Sequence, residues 1–212
     1  MSFTPYDPQA GPIIYHRNLP HWRQPGTTYF VTFRLADSLP ASRSGQLKQE
    51  QQQWLIDHDI HNMETLAKAP NDLRWQYAKT FNARWHELLD AGHGSCILSQ
   101  PEKRQIVVDA LQHWHGTRLH LDETVIMPNH VHTLITPEPD WSLSECLHSI
   151  KRFTARAINK GLERKGALWQ DESFDHIVRS EAQLHHFRDY IRQNPIKAHL
   201  NPTQFWLSPP PK

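Results

Sequence analysis

A chain of 212 residues, 38% hydrophobic and 21% charged, can bury one well-packed core, so a single domain over residues 1–212 is the expectation. Its 23 basic and 22 acidic residues leave a formal charge of +1, which excludes a whole-surface grip on duplex DNA and confines any nucleic-acid contact to a local basic patch. The two cysteines, Cys96 and Cys146, cannot build a disulfide framework. No charged-then-apolar leader opens the chain and no apolar run nears the roughly 20 residues of a membrane helix, so a cytoplasmic protein without a membrane partner is expected.

Residues 1–26 are proline-rich without periodicity and read as an extended N-terminal arm. Tyr29, Val31, Phe33 and Leu35 alternate with Phe30, Thr32 and Arg34, the pattern of a central β-strand. Residues 44–90 carry Trp54, Leu55, Leu66, Trp75, Phe81, Trp85, Leu88 and Leu89 at mixed helical spacings, which predicts a helical insertion after that first strand. After a turn at Gly92-His93-Gly94, Ser95 to Leu98 reads as a short strand. Ser99-Gln100-Pro101-Glu102 then has the form of a capping box and opens a helix with core face Ile106, Val107, Ala110, Leu111 and Trp114. Leu119–Met127 and His130–Thr136 are strands joined as a hairpin at Pro128-Asn129. Leu143, Leu147, Ile150, Thr154, Ala157 and Ile158 keep a helical stripe to about Asn159. A second capping box, Ser180-Glu181-Ala182-Gln183, opens a helix with Leu184, Phe187 and Ile191 inside, interrupted by Pro195, and residues 201–212 form a proline-rich tail. This order predicts an α+β fold, a mostly antiparallel, ferredoxin-like sheet covered by helices. It contains no glycine-rich phosphate loop, so no nucleotide cofactor is expected.

Sixteen histidines make about one His-x-His expected by chance, and two occur. His113 and His115 fall at the end of a helical pattern, where residues two apart diverge. His130 and His132 lie in a strand, where residues two apart share a face and can converge on one ion. They could equally be one core imidazole and one loop cap. Tyr190 and Asn194, four apart, are neighbours on one helical face. The Asn194 amide oxygen can complete a metal site facing the Tyr190 phenol, while Asn194-Pro195 is also an ordinary helix punctuation. A phenol with a pKa of about 10 is a poor nucleophile without nearby positive charge, so a metal-assisted tyrosine suited to phosphodiester transfer is one reading of the set. Lys151, Arg152, Arg156, Lys160, Arg164 and Lys165, opposed only by Glu163, could track a phosphate backbone with Phe153 or Trp169 stacking on bases, or form a solvated helix face. His86-Glu87-Leu88-Leu89 lacks the second histidine of a zinc-protease helix.

Met127-Pro128-Asn129-His130-Val131-His132 together with Tyr190-Ile191-Arg192-Gln193-Asn194-Pro195 resembles the REP-associated tyrosine transposases, a branch of the single-tyrosine HUH transposases. Leu19-Pro20-His21-Trp22, Tyr29-Phe30-Val31-Thr32-Phe33-Arg34, Leu89-Asp90-Ala91-Gly92-His93-Gly94, Lys151-Arg152-Phe153-Thr154-Ala155 and Trp169-Gln170-Asp171-Glu172-Ser173-Phe174-Asp175 extend the likeness from Leu19 to Leu200. The resemblance implies a ferredoxin-like core acting on single-stranded DNA hairpins of palindromic repeats. It implies Mg²⁺ or Mn²⁺ on His130, His132 and Asn194, and Tyr190 as the nucleophile forming a 5′-phosphotyrosine. Lys151, Arg152, Arg156 and Lys160 are the expected DNA contacts. A monomer is expected. The alternatives of another class are a non-catalytic DNA-hairpin-binding protein and a metal-dependent nuclease in which water attacks.

Overall fold

Strand pairing organises the chain. A computed structural model describes residues 3–7, 9–10, 13–16, 20–38, 41–90 and 93–209. They form β1 (Ile13–His16), β2 (Pro20–Arg23), β3 (Tyr29–Arg34), α1 (Ala41–Asp57), α2 (Met63–Lys68), α3 (Asn71–Asp90), α4 (Pro101–Trp114), β4 (Leu119–Ile126), β5 (His130–Pro137), α5 (Leu143–Gly161), β6 (Phe174–Ile177), α6 (Glu181–Lys197) and β7 (Trp206–Leu207). The chain divides into two compact units, residues 1–36 with 95–212, and residues 37–94.

In the first unit a five-stranded sheet has the order β6-β3-β5-β4-β7, every neighbouring pair antiparallel. Setting β7 aside, the chain runs β3-α4-β4-β5-α5-β6, and its strands take the spatial order fourth, first, third, second. That is the split β-α-β arrangement of a ferredoxin-like sheet, as the sequence predicts. β3 is central and buried throughout, because its two faces meet different cores. Tyr29, Val31 and Phe33 join Val107, Leu111, Val131, Ile135, Leu147 and Ile150 in the core under α4 and α5. Phe30 joins Val125, Leu134, Leu184 and Ile191 in the core under α6. α4 and α5 therefore cover one face of the sheet and α6 the other. Among the described residues no helix is long and apolar enough to cross a membrane.

The second unit holds α1, α2 and α3, packed through Leu47, Ile60, Leu66, Tyr77 and Phe81. Trp54 stands edge-on to Tyr77, with centroids 5.2 Å apart. Trp75 is exposed. The side chains of Trp85, Leu88 and Leu89, assigned to this stripe from sequence, lie outside the described residues, as do residues 17–19, 91–92 and 210–212.

Several local expectations are corrected. The proline-rich N-terminal segment carries the β1–β2 hairpin, and Thr4 and Tyr6 are tied by backbone hydrogen bonds to Thr28 and Val178. Ser95–Leu98 is not a strand: Cys96 takes a left-handed conformation and Ile97–Ser99 form one 3-10 turn, whose Leu98 N–H donates to the Pro128 carbonyl. The N-cap of α4 is Gln100 rather than Ser99, with Pro101 at N1 and no side-chain cap. The residue before a proline is driven to extended backbone, and Gln100 adopts it. α6 runs through Pro195 to Lys197, because Asn194 and Pro195 are buried and packing holds the helix past one missing hydrogen bond. β6 and β7, too short to show a periodic pattern, exist through their pairing with β3 and β4. His113-Trp114-His115 is structural, His115 Nδ1 accepting from the Leu121 N–H.

Ser180 caps α6 by accepting from the Gln183 N–H, and the Gln183 amide in turn donates to Nε2 of His176 on β6 at 2.9 Å. Burial, aided by Arg179, pushes the His176 pKa down to about 4 from its ordinary 6.5. The unfolded chain therefore binds a proton near pH 6.5 that the folded chain refuses until about pH 4. This contribution to stability is present above pH 6.5 and lost as pH falls through that interval. His176→Gln is expected to flatten the stability-versus-pH curve between these values, measured by urea unfolding at a series of pH values.

Candidate active site between the histidine strand and the tyrosine helix

The antiparallel register sets Thr32 opposite His132 and Arg34 opposite His130, while on the other side of β5 His132 faces Val125. Period-two alternation then puts both imidazoles on the α6 face, with ring centroids 4.5 Å apart. Both histidines are almost fully buried, at 1% and 0% exposure. Each is oriented through Nδ1, His130 against Asn129 Oδ1 and His132 against Thr32 Oγ1, both at 2.7 Å. The Asn129 oxygen can only accept, so His130 carries its proton on Nδ1 and its lone pair on Nε2. At His132 the Asn194 amide nitrogen lies 3.4 Å from Nε2, which assigns the lone pair to Nε2 there too. This is the tautomer a metal-binding imidazole needs, with the second nitrogen held by a neighbour.

α6 supplies the other half. Tyr190, half-buried, stands edge-on to His132 at 5.1 Å between centroids and edge-on to Phe30 at 5.7 Å. Asn194, one turn on, is 4% exposed, and its Oδ1 is buried without a hydrogen-bond partner among the described residues. Leaving a buried amide oxygen unsatisfied costs about 1–3 kcal/mol, so the Asn194 oxygen, on an amide whose nitrogen reaches His132, is a donor available to a ligand. No group of three or more His, Cys, Asp or Glu side chains gathers among the described residues. Two imidazoles with one amide oxygen are a chemically sound set for a divalent cation. Lys197 Nζ lies 6.0 Å from the centre of the Tyr190 ring, placing a cation beside the phenol.

The position of α6 is set by charge. β4 has a bulge between Leu121 and Thr124, and the two residues within it are Asp122 and Glu123. Arg188 Nε donates to Asp122 Oδ1 at 3.0 Å, and Arg192 binds Glu123. These arginines are four apart on α6 and bracket Tyr190. Glu123 is 2% exposed, and burial raises its pKa more than Arg192 lowers it. Neither Asp122, Glu123, Thr32 nor Asn129 is conspicuous as a site residue in the sequence. Two consecutive acids breaking the alternation of a strand, and an Arg-x-x-x-Arg spanning Tyr190, are the signals that could have found the clamp.

His130, His132, Tyr190 and Asn194 are thus gathered within one cluster, while the expected DNA contacts Lys151, Arg152, Arg156 and Lys160 all lie on α5, over the other face of the sheet. Lys151 is committed to structure, Nζ donating to the carbonyls of Gln170 at 2.6 Å and Asp171 at 2.9 Å. Arg152, Arg156 and Lys160 are exposed. Trp169 is not available for stacking: it is buried edge-on against Phe33, its Nε1 donating to Thr154 Oγ1.

The family described as "Transposase IS200 like" matches residues 102–194, the stretch from the start of α4 through Asn194. A protein of Haemophilus influenzae named "Putative REP-associated tyrosine transposase" is 32% identical over 82 residues, which cover 34% of this chain and 47% of that protein. An uncharacterized protein of the same bacterium is 27% identical over 100 residues, covering 37% of this chain and 56% of that one. The chain spans about half the length of the curated relatives it matches. A solved structure of a REP-associated tyrosine transposase bound to a REP hairpin aligns over 93% of this chain and 94% of its own, with 17% identity and a TM-score of 0.46. Residues 102–194 thus match the IS200-like transposase family model, and part of the chain is similar to a protein named as a REP-associated tyrosine transposase.

Removing Arg192 strands a buried carboxylate. Arg192→Ala is expected to cost about 1–3 kcal/mol at pH 8, below the range for a fully buried pair because the arginine is itself half-exposed. Without Arg192 the Glu123 pKa climbs further, so the carboxyl protonates on mild acidification and the deficit shrinks at pH 5. Adding Glu123→Gln should recover most of the loss at pH 8, read as a double-mutant cycle by chemical denaturation.

Proposed function

We propose that the protein is a metal-dependent, site-specific single-strand DNA endonuclease and strand transferase, acting on palindromic hairpin DNA through a 5′-phosphotyrosine intermediate. The observation that carries this reading is the juxtaposition of the Tyr190 ring with His132, and of the same imidazole with the Asn194 amide, whose nitrogen lies 3.4 Å from Nε2 and whose oxygen has no hydrogen-bond partner among the described residues. The relative named a putative REP-associated tyrosine transposase suggests the DNA class.

In this reading His130 Nε2, His132 Nε2 and Asn194 Oδ1 would hold Mg²⁺ or Mn²⁺. The bound cation would polarise the scissile phosphate and offset its growing negative charge. Tyr190 Oη attacks phosphorus as the phenolic proton departs. The new Oη–P bond replaces the P–O3′ bond, and the 3′-oxygen leaves and takes up a proton as a free hydroxyl. Reversal onto another 3′-hydroxyl restores a phosphodiester, so the bond energy is kept and no nucleotide cofactor is consumed. Asn129 holds His130 in the required tautomer, Thr32 orients His132, the Asp122/Glu123 clamp fixes the register of α6, and Lys197 is placed to favour the phenolate. Rigid side chains thereby position the reacting groups before substrate arrives.

A labelled hairpin oligonucleotide with single-stranded flanks, incubated with protein and Mn²⁺ or Mg²⁺, should yield a protein–DNA adduct that survives denaturation. Tyr190→Phe should lose the adduct and all cleavage while binding the hairpin within about threefold of wild type. Chelation should remove cleavage and leave binding. Cleavage by Tyr190→Phe without an adduct would identify water as the nucleophile, and binding without cleavage by wild type would make the protein a hairpin-binding protein.

A further inference from the structure

The outer face of α5 carries a second feature, unconnected with the histidines. Arg152, Arg156 and Lys160 follow one another at intervals of four, so they form a single row along the helix. Ser149, Phe153 and Ala157 lie beside them, and together these six residues line a shallow cavity of about 400 Å³. Phe153 is 57% exposed there, among the largest apolar surfaces the described residues leave to solvent. No acidic side chain lines the cavity, and none of its three cations forms a salt bridge among the described residues. In a chain of net charge +1 such an unopposed row is a local departure from balance. At Ser149 and Arg152 the cavity joins a groove of about 730 Å³ between α5 and the segment 166–173, whose course is fixed by Lys151 holding the Gln170 and Asp171 carbonyls.

We infer that the Arg152–Arg156–Lys160 row with Phe153 is a single-strand nucleic-acid seat on the face of the sheet opposite the tyrosine site. The cations take successive phosphates and Phe153 stacks on an unpaired base. The ring selects single strand over duplex, because a paired base offers no free π-face to a side chain outside the helix. Lys151 is excluded from the seat, since its ammonium is spent on backbone carbonyls. The inference rests on the nucleic-acid part of the proposed function but not on Tyr190 chemistry. It adds that one DNA molecule must pass round an edge of the sheet to reach both faces, so a substrate trimmed to its cleavage position loses an anchor.

The test is fluorescence anisotropy of the full chain with a labelled oligothymidylate of about 20 nucleotides across a salt series. Arg152→Ala/Arg156→Ala/Lys160→Ala is expected to weaken binding at least about tenfold and to flatten the log-log salt slope by about 2, from three lost contacts at about 0.7 each. Phe153→Ala should weaken it at least about fivefold with the slope unchanged, and Phe153→Trp should restore it. All these positions are exposed, and circular dichroism melting checks that the variants fold. Wild-type affinity and slope in folded variants, no binding of the oligothymidylate by wild type, or a seat that binds anionic vesicles in place of DNA would each overturn the inference. If the covalent adduct fails to form while these binding changes appear, the cleavage reading falls and the seat stands.

Discussion

The pairing of β3 with β5 is the constraint on which the rest of the molecule depends. Six consecutive residue pairs, from Tyr29 with Ile135 to Arg34 with His130, fix which side chains face α6 and which face α4 and α5. A slip of one residue would send His130 and His132 into the Val31/Phe33 core and Val131 toward Tyr190. The large apolar side chains on both faces of β3 forbid that slip, because each face has a core to fill. The same register brings Thr32 beside His132, so the pairing that builds the sheet also orients the imidazole ring.

The second requirement is that α6 lie at one depth and one rotation. Its apolar contacts through Leu184, Phe187 and Ile191 supply adhesion, but they would tolerate small shifts along the helix axis. Two ion pairs to consecutive acids in a strand bulge do not. A bulge turns both Asp122 and Glu123 toward partners that a regular strand would offer to only one of them. Glu123 is buried while its partner Arg192 is half-exposed, so removing the arginine costs more than the intact pair stabilises. Its contribution is therefore to geometry, and the helix positions that matter, Tyr190 and Asn194, are interleaved with the clamped ones.

Much of this was legible in the sequence, unevenly. The alternation in β3, the hairpin at Pro128-Asn129, the stripes of α4 and α5 and the pairing of a histidine strand with a Tyr-x-x-x-Asn helix are periodic features, and period survives without tertiary context. β6 and β7 were not legible, because strands of four and two residues owe their existence to a partner rather than to propensity. Pro195 misled for the converse reason: a local helix breaker was overruled by burial. Thr32 and Asn129 acquire their roles only from register and adjacency to an imidazole. Trp169 shows the limit of composition, since an aromatic near basic residues proved to be core while Phe153, on α5, remained in water.

Exposure also constrains how a substrate can approach. Both imidazoles and the Asn194 amide are buried, whereas Tyr190 is only half-buried and Lys197 is exposed. On the proposed reading the phenol therefore stands between solvent and the ligand set, and a phosphate enters over the C-terminal half of α6. The carbonyl end of a helix is the negative end of its dipole and opposes an anion. Lys197, in the last turn, supplies compensating charge at that end and close to the nucleophile. A site that must admit a polyanion beside a helix C-terminus needs such a cation whether or not it titrates the phenol. The physical case for Lys197 is thus made by the substrate's charge as much as by the tyrosine's.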